Sequence, residues 1–139
     1  MDQKDLDIST LLGKEITSPD CEAVLSKLDK ATRVKPQRDA SQLRWISKQA
    51  GVEVRADAGS KRIVDMFLYA GGDGFKRYSG GLPYGIRFEF KSPAVKACFP
   101  SAPVGSDSEA DCWDEEDRRI IVTYDDDGNI TDVYLTTAF

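Results

Sequence analysis

Apolar side chains along this chain recur with two spacings, and the two spacings alternate in a fixed order. Cys21, Val24, Leu25 and Leu28 fall at i, i+3, i+4 and i+7, which is one stripe of an α-helix. Ser18 stands where an N-cap belongs, and Pro19 takes the first helical position, where a missing N–H costs nothing. Asp20 and Glu22 lie in the first turn and suit the helix dipole. Val95, Cys98 and Phe99 repeat the start of that stripe. Here Ser92 is the predicted cap, Pro93 the first helical residue and Pro100 the stop. Both stripes place a cysteine, Cys21 or Cys98, on a core-facing side in a structural role.

Between and after these helices the period drops to two. Val52, Val54 and Ala56 alternate with Glu53, Arg55 and Asp57, and Ala58-Gly59-Ser60 turns the chain back along Arg62 to Tyr69. Leu43 to Ile46 is a shorter strand before them. In the second half Cys112-Trp113 opens a strand region, Arg119 to Tyr124 runs out and Ile130 to Thr137 returns. The turn between the last two, Asp125-Asp126-Asp127-Gly128-Asn129, carries an Asp-Gly hairpin signal. Ile86, Phe88 and Phe90 alternate as one further predicted strand.

The halves match in order. Ile16-Thr17-Ser18-Pro19 corresponds to Phe90-Lys91-Ser92-Pro93, and Trp45 to Trp113. Val52 to Asp57 corresponds to Ile120 to Asp125, and Ile63 to Leu68 to Ile130 to Leu135. The expected fold is α+β: two tandem helix-plus-antiparallel-hairpin units forming antiparallel sheet, with helices on one face. One domain spans residues 1–139. Its repeat units run from about 10 to 70 and from 84 to 139, joined by a glycine-rich seam at 70–83. The far face of such a sheet can stay wet and open to a partner.

Composition narrows the chemistry. The 139 residues contain no histidine, which removes Ser-His-Asp and Cys-His nucleophiles and imidazole metal sites. Three cysteines, Cys21, Cys98 and Cys112, cannot all pair. With a polar start at Met1-Asp2-Gln3-Lys4-Asp5, they point to a cytoplasmic protein. No apolar run is long enough to span a membrane. A net charge of −5 argues against nucleic acid as partner. That charge is uneven: residues 103–139 hold 2 Lys/Arg against 11 Asp/Glu.

Two acidic stretches are the candidate partner-binding residues. Asp107, Glu109, Asp111, Asp114, Glu115, Glu116 and Asp117 precede a strand, and Asp125, Asp126 and Asp127 form a hairpin tip. Opposite charge on a partner would speed encounter with such a surface. The tip is no calcium loop. With Gly128 at the sixth position, Thr123 and Tyr134 occupy the first and twelfth, where carboxylates belong. The seam is no phosphate loop either, for it lacks the Gly-Lys-Ser/Thr ending. Tyr78 and Tyr84, aromatics in and beside the seam, complete the candidate contact set. Trp45 and Trp113 read as core. No catalytic, metal or cofactor site is expected.

Gly81-Leu82-Pro83-Tyr84-Gly85-Ile86-x-Phe88, a Ser-initiated short helix, Asp111-x-Trp113-Asp114 and the final Asp-Asp-Gly hairpin together resemble cytoplasmic immunity proteins of bacterial polymorphic toxin systems, contact-dependent or type VI. The doubled unit is similar to the helix-plus-β-meander repeat of β-lactamase inhibitory protein. The resemblance implies an antitoxin that binds a cognate toxin with a basic surface and blocks its active site or substrate access. Two alternatives stand beside it. One is a small enzyme working through carboxylates or Cys112. The other is an adaptor that self-associates through an open sheet edge such as Ile120 to Thr123.

Overall fold

A computed structural model describes residues 7–29, 37–39 and 41–138. Helix α1 (Pro19–Leu28) is followed by strands β1 (Gln37–Asp39), β2 (Gln42–Ser47), β3 (Val52–Asp57) and β4 (Ile63–Tyr69). Helix α2 (Ser92–Cys98) is followed by β5 (Gly105–Ser106), β6 (Ala110–Asp114), β7 (Arg119–Tyr124) and β8 (Ile130–Thr136). The fold is α+β. All eight strands form one sheet in the order β1-β2-β3-β4-β8-β7-β6-β5, antiparallel at every junction.

That order reads the same from either edge. Each half supplies a helix and a four-strand meander, and the last strands of the two halves, β4 and β8, meet at the centre. Phe67 pairs with Tyr134 across that junction. The same irregularity interrupts each half: the register shifts between Arg55 and Ala56 on β3, and between Thr123 and Tyr124 on β7.

Alternation decides the faces. Trp45, Val54, Met66, Val133, Val122 and Trp113 point to one side and are almost fully buried. Cys21, Leu25 and Leu28 of α1 and Val95 of α2 join the same core, so both helices cover that side. Ser18 caps α1 as its position predicts, its Oγ accepting from the Cys21 N–H at 3.3 Å. Cys98 is half-buried against the core.

Three expectations about elements need correction. Ser92 does not cap α2: Lys91 is the N-cap residue, and the Ser92 hydroxyl donates to Asp111 at 2.6 Å instead. A buried carboxylate outcompetes a helix N–H for that donor. Ile86 to Phe90 is no strand. A 3-10 turn (Pro83–Gly85) precedes it, and the Phe90 N–H donates to the Arg87 carbonyl at 2.9 Å, closing a turn where an extended run was expected. The edge at Ile120 to Thr123 is not open, because β7 lies between β6 and β8. The true edges, β1 and β5, are three and two residues long, too short to template a second sheet.

The glycine-rich seam is held tightly. Lys76 N–H donates to the Lys48 carbonyl at 2.8 Å and Tyr78 N–H to the Tyr69 carbonyl at 2.9 Å. This brings the seam backbone against the turn after β2, where Gly51 sits.

Candidate functional site

The acidic residues do not form one surface. Strand β6 runs from Ala110 to Asp114, so its two ends lie about 13 Å apart at the usual rise per residue. Asp107, Glu109 and the hairpin tip Asp125, Asp126 and Asp127 gather at one end, where Ser108, Glu109 and the tip line a recess of about 420 Å³. Asp114, Glu115, Glu116 and Asp117 sit at the other end, in the turn between β6 and β7.

Many of these carboxylates serve the fold. The Asp107 carboxylate accepts from the Glu109 and Ala110 N–H groups, at 2.8 and 2.9 Å. That of Asp125 accepts from the Asp127 and Asn129 N–H groups, both at 2.9 Å. The Asn129 N–H is the main reason the Asp125 carboxyl lies below its usual range. Asp114 takes both arms of Arg119, at 2.5 and 3.0 Å. Glu115 accepts from Arg118 Nε at 2.6 Å and from the Tyr84 hydroxyl.

Asp111 overturns the reading most directly. The sequence places it in an exposed acidic loop, but its side chain is fully buried. Its carboxylate accepts from Ser92 Oγ and Ser106 Oγ, each at 2.6 Å, and from the Tyr124 hydroxyl at 2.7 Å. Lys96 Nζ lies 3.8 Å away. Burial pushes this carboxyl up, but the three hydroxyls and Lys96 pull it down further, to below its ordinary value. Asp111 thus ties α2, the edge strand β5 and strand β7 together. Its place on the core-facing side of β6, in step with Trp113, was the available signal, and the charge of its neighbours masked it.

Tyr78 is also a correction. It is 2% exposed, and its hydroxyl donates to the Gly81 carbonyl at 3.1 Å, which makes it a core residue of the seam. Burial drives its phenol far above the usual range. Tyr84 is exposed, but its ring packs on Phe99 (4.6 Å between centroids), which in turn stacks on Trp113 at 3.7 Å.

Four of these carboxylates are not poised as general acids. A general acid needs a carboxyl held above its usual pKa, whereas Asp111, Asp114, Glu115 and Asp125 are all held below it. Burial pushes the Cys112 thiol up, away from the reactive thiolate. Among the described residues, no three Cys, Asp or Glu side chains are grouped to hold a metal ion.

The sheet face opposite the helices has a different character, and of its rings the sequence singles out only Tyr69 and Phe75, as aromatics beside the seam suited equally to a contact surface or to burial between the units. Four half-exposed rings run across its centre. Phe75 stacks on Tyr69 (4.2 Å), Tyr69 lies beside Phe67 (6.1 Å), and Phe67 stacks on Tyr134 (4.5 Å). The Arg55 guanidinium lies 5.0 Å from the Phe67 ring and Lys48 lies 5.8 Å from that of Phe75. Arg55 and Arg44 flank Glu53, at 2.5 and 3.4 Å. Ile46, Ile121 and Cys112 extend the face outward, and Ile46 is 39% exposed. The signal was present in the outward positions of β4 and β8, which carry rings where a wet face carries charge.

One asymmetry on this face is testable. Tyr134 donates its hydroxyl to Asp65 at 2.7 Å. Phe67 holds the matching place in the other half, diagonally across from Asp132, whose direct cross-strand partner is Tyr69, and it has no hydroxyl to give. Burial pushes the Asp132 carboxyl above its usual range, against the pull of Thr123 and Thr131. Phe67→Tyr is expected to bring Asp132 back toward an ordinary value and to add about 1 kcal/mol of stability. Carboxyl titration by NMR checks this, and an unmoved Asp132 would contradict the matched geometry.

No protein family and no curated protein matches the chain. Similar folds occur in two crystal structures. One is a cysteine-rich secretory protein from Staphylococcus aureus, 16% identical with a TM-score of 0.62, matched over 98% of this chain and 46% of that one. The other is an extracellular protein containing an SCP domain from Bacillus anthracis, 13% identical with a TM-score of 0.62, matched over 98% of this chain and 49% of that one. This chain therefore spans about half the length of either structure. These matches overturn the resemblance to immunity proteins and to β-lactamase inhibitory protein, and with it the antitoxin function. The residues that carried that resemblance, turn glycines, Trp113 and alternating apolar positions, serve the sheet and its turns.

Proposed function

We propose that the chain is a non-catalytic binding module that engages a protein partner through the uncovered face of its sheet. The row of rings from Phe75 to Tyr134, half-exposed at the centre of a face that no described element covers, carries this reading. Aromatic and arginine side chains clustered at the middle of a surface are the usual composition of an interface core, where a few anchors supply most of the affinity. The histidine-free composition supports a binding role over a catalytic one.

A photo-crosslinking residue placed at Ile121, on the uncovered face, tests this, with Lys27, exposed on α1, as the control position. Illumination in the native organism is expected to give a discrete higher-mass adduct from position 121 and none from position 27. Adducts confined to position 27, or none at either, would contradict the assignment. Recovery of the adduct from cell extract or from medium also separates the cytoplasmic expectation from the extracellular setting of the two similar structures.

A further inference from the structure

Beside the seam lies a groove of about 480 Å³ that the proposed function does not use. Leu82, Ile86 and Phe88, each less than 9% exposed, form its apolar floor. Arg77 and Arg87 stand on its rim. Arg77 Nε donates to the Ala70 carbonyl at 3.3 Å, and its guanidinium lies 5.6 Å from the Phe88 ring. Between the two arginines rests the Glu89 carboxylate, 3.6 Å from Arg77 and 3.8 Å from Arg87, close enough for charge pairing and too far for hydrogen bonds. Glu89 is itself 62% exposed, so this contact is loose and water-screened. Ser79, Gly80 and Gly81 line one wall, and their backbone N–H groups donate to no acceptor among the described residues.

We propose that this groove binds an extended peptide segment through an acidic side chain. The bound carboxylate displaces Glu89 from between Arg77 and Arg87 and gains the charge-assisted hydrogen bonds that Glu89 does not make. The peptide's carbonyls accept from the N–H groups of residues 79–81, and its apolar side chains lie on the floor. Glu89 acts as an internal placeholder: a side-chain carboxylate from the chain itself marks where the ligand's carboxylate sits.

The test is amide NMR titration of the intact chain with three capped alanine–valine hexapeptides. The first carries a central glutamate, the second a central glutamine, and the third no acidic side chain but a free C-terminal carboxylate. The glutamate peptide is expected to shift the amide signals of Ser79, Gly80 and Gly81 in a saturable way and to bind about tenfold tighter than the glutamine peptide. Glu89→Ala is expected to tighten binding of the glutamate peptide severalfold, and Arg87→Met to weaken it about tenfold. Both positions are exposed, so both variants are expected to fold, as circular dichroism would verify. Equal binding of the glutamate and glutamine peptides would overturn the proposal. So would binding by the free C-terminus alone, an unmoved Ser79–Gly81 backbone, or weaker binding by Glu89→Ala.

Discussion

Gly51→Ala is expected to cost on the order of 4 kcal/mol, enough to lower the melting temperature by roughly 12–16 °C in a domain of this size. Two effects combine. Gly51 has φ +73°, a backbone conformation that a residue with a Cβ adopts at a cost of about 1–2 kcal/mol. A Cβ built there would also lie 2.1 Å from the Lys76 carbonyl oxygen and 2.7 Å from the Tyr78 nitrogen. Both are backbone atoms, fixed by hydrogen bonds to β2's following turn and to β4, so the seam would have to detach from the sheet. Gly13→Ala is the control. Gly13 has φ +86° with nothing within 4 Å of a built Cβ, so only the conformational cost of about 1–2 kcal/mol is expected there. Urea denaturation of both variants measures the difference, and equal losses would contradict the close approach of seam and sheet.

Asp111→Ala is expected to be nearly as damaging, at about 3–5 kcal/mol, because three hydroxyls lose their buried acceptor at a cost of about 1–3 kcal/mol each when left unsatisfied. The hydroxyls of Ser92, Ser106 and Tyr124 would lose their shared acceptor, and Lys96 its counter-charge. Asp111→Asn keeps the shape without the charge and is expected to cost about half as much. The pH dependence separates the charge from the shape. The folded carboxyl lies below its unfolded value of 3.8, so the folded state favours the ionised form. Its contribution is therefore complete above that unfolded value and fades as pH falls through the folded one. The stability gap between the native chain and Asp111→Asn should be widest at pH 7 and narrow by pH 3. A gap that stays constant would mean that packing, and no ionised carboxylate, makes Asp111 important.

The inner strands of both meanders and helix α1 were legible because each obeys a local rule, whereas the short edge strands β1 and β5 carry no such pattern. Val52 to Asp57 and Arg119 to Tyr124 alternate, Gly128 permits a tight turn, and Ser18-Pro19 marks a helix start. Ile86 to Phe90 alternates just as well, yet no strand lies beside it, so its apolar residues pack onto the core from a turn. Alternation reports which side chains are buried and is silent on whether the backbone has a neighbour to pair with. The burial of Asp111 was hidden for a related reason. A run of carboxylates reads as exposed when charge is counted, but period two continues through it and turns Asp111 inward. Two rings of the uncovered face, Phe67 and Tyr134, lie on strands from different halves of the chain. Only the pairing of β4 with β8, a contact between residues 67 apart in the chain, brings Phe67 and Tyr134 side by side.

The central junction also bears on ancestry. Phe67 and Tyr134, equivalent residues of the two halves, face each other across antiparallel strands. A shorter gene encoding one half would leave its final strand as a bare rim. Two identical products could close it by pairing that strand with itself, each residue at position 67 meeting its own twin. Such a homodimer would already possess this sheet, and fusing its two genes would free the halves to diverge, one toward acidity and the other not.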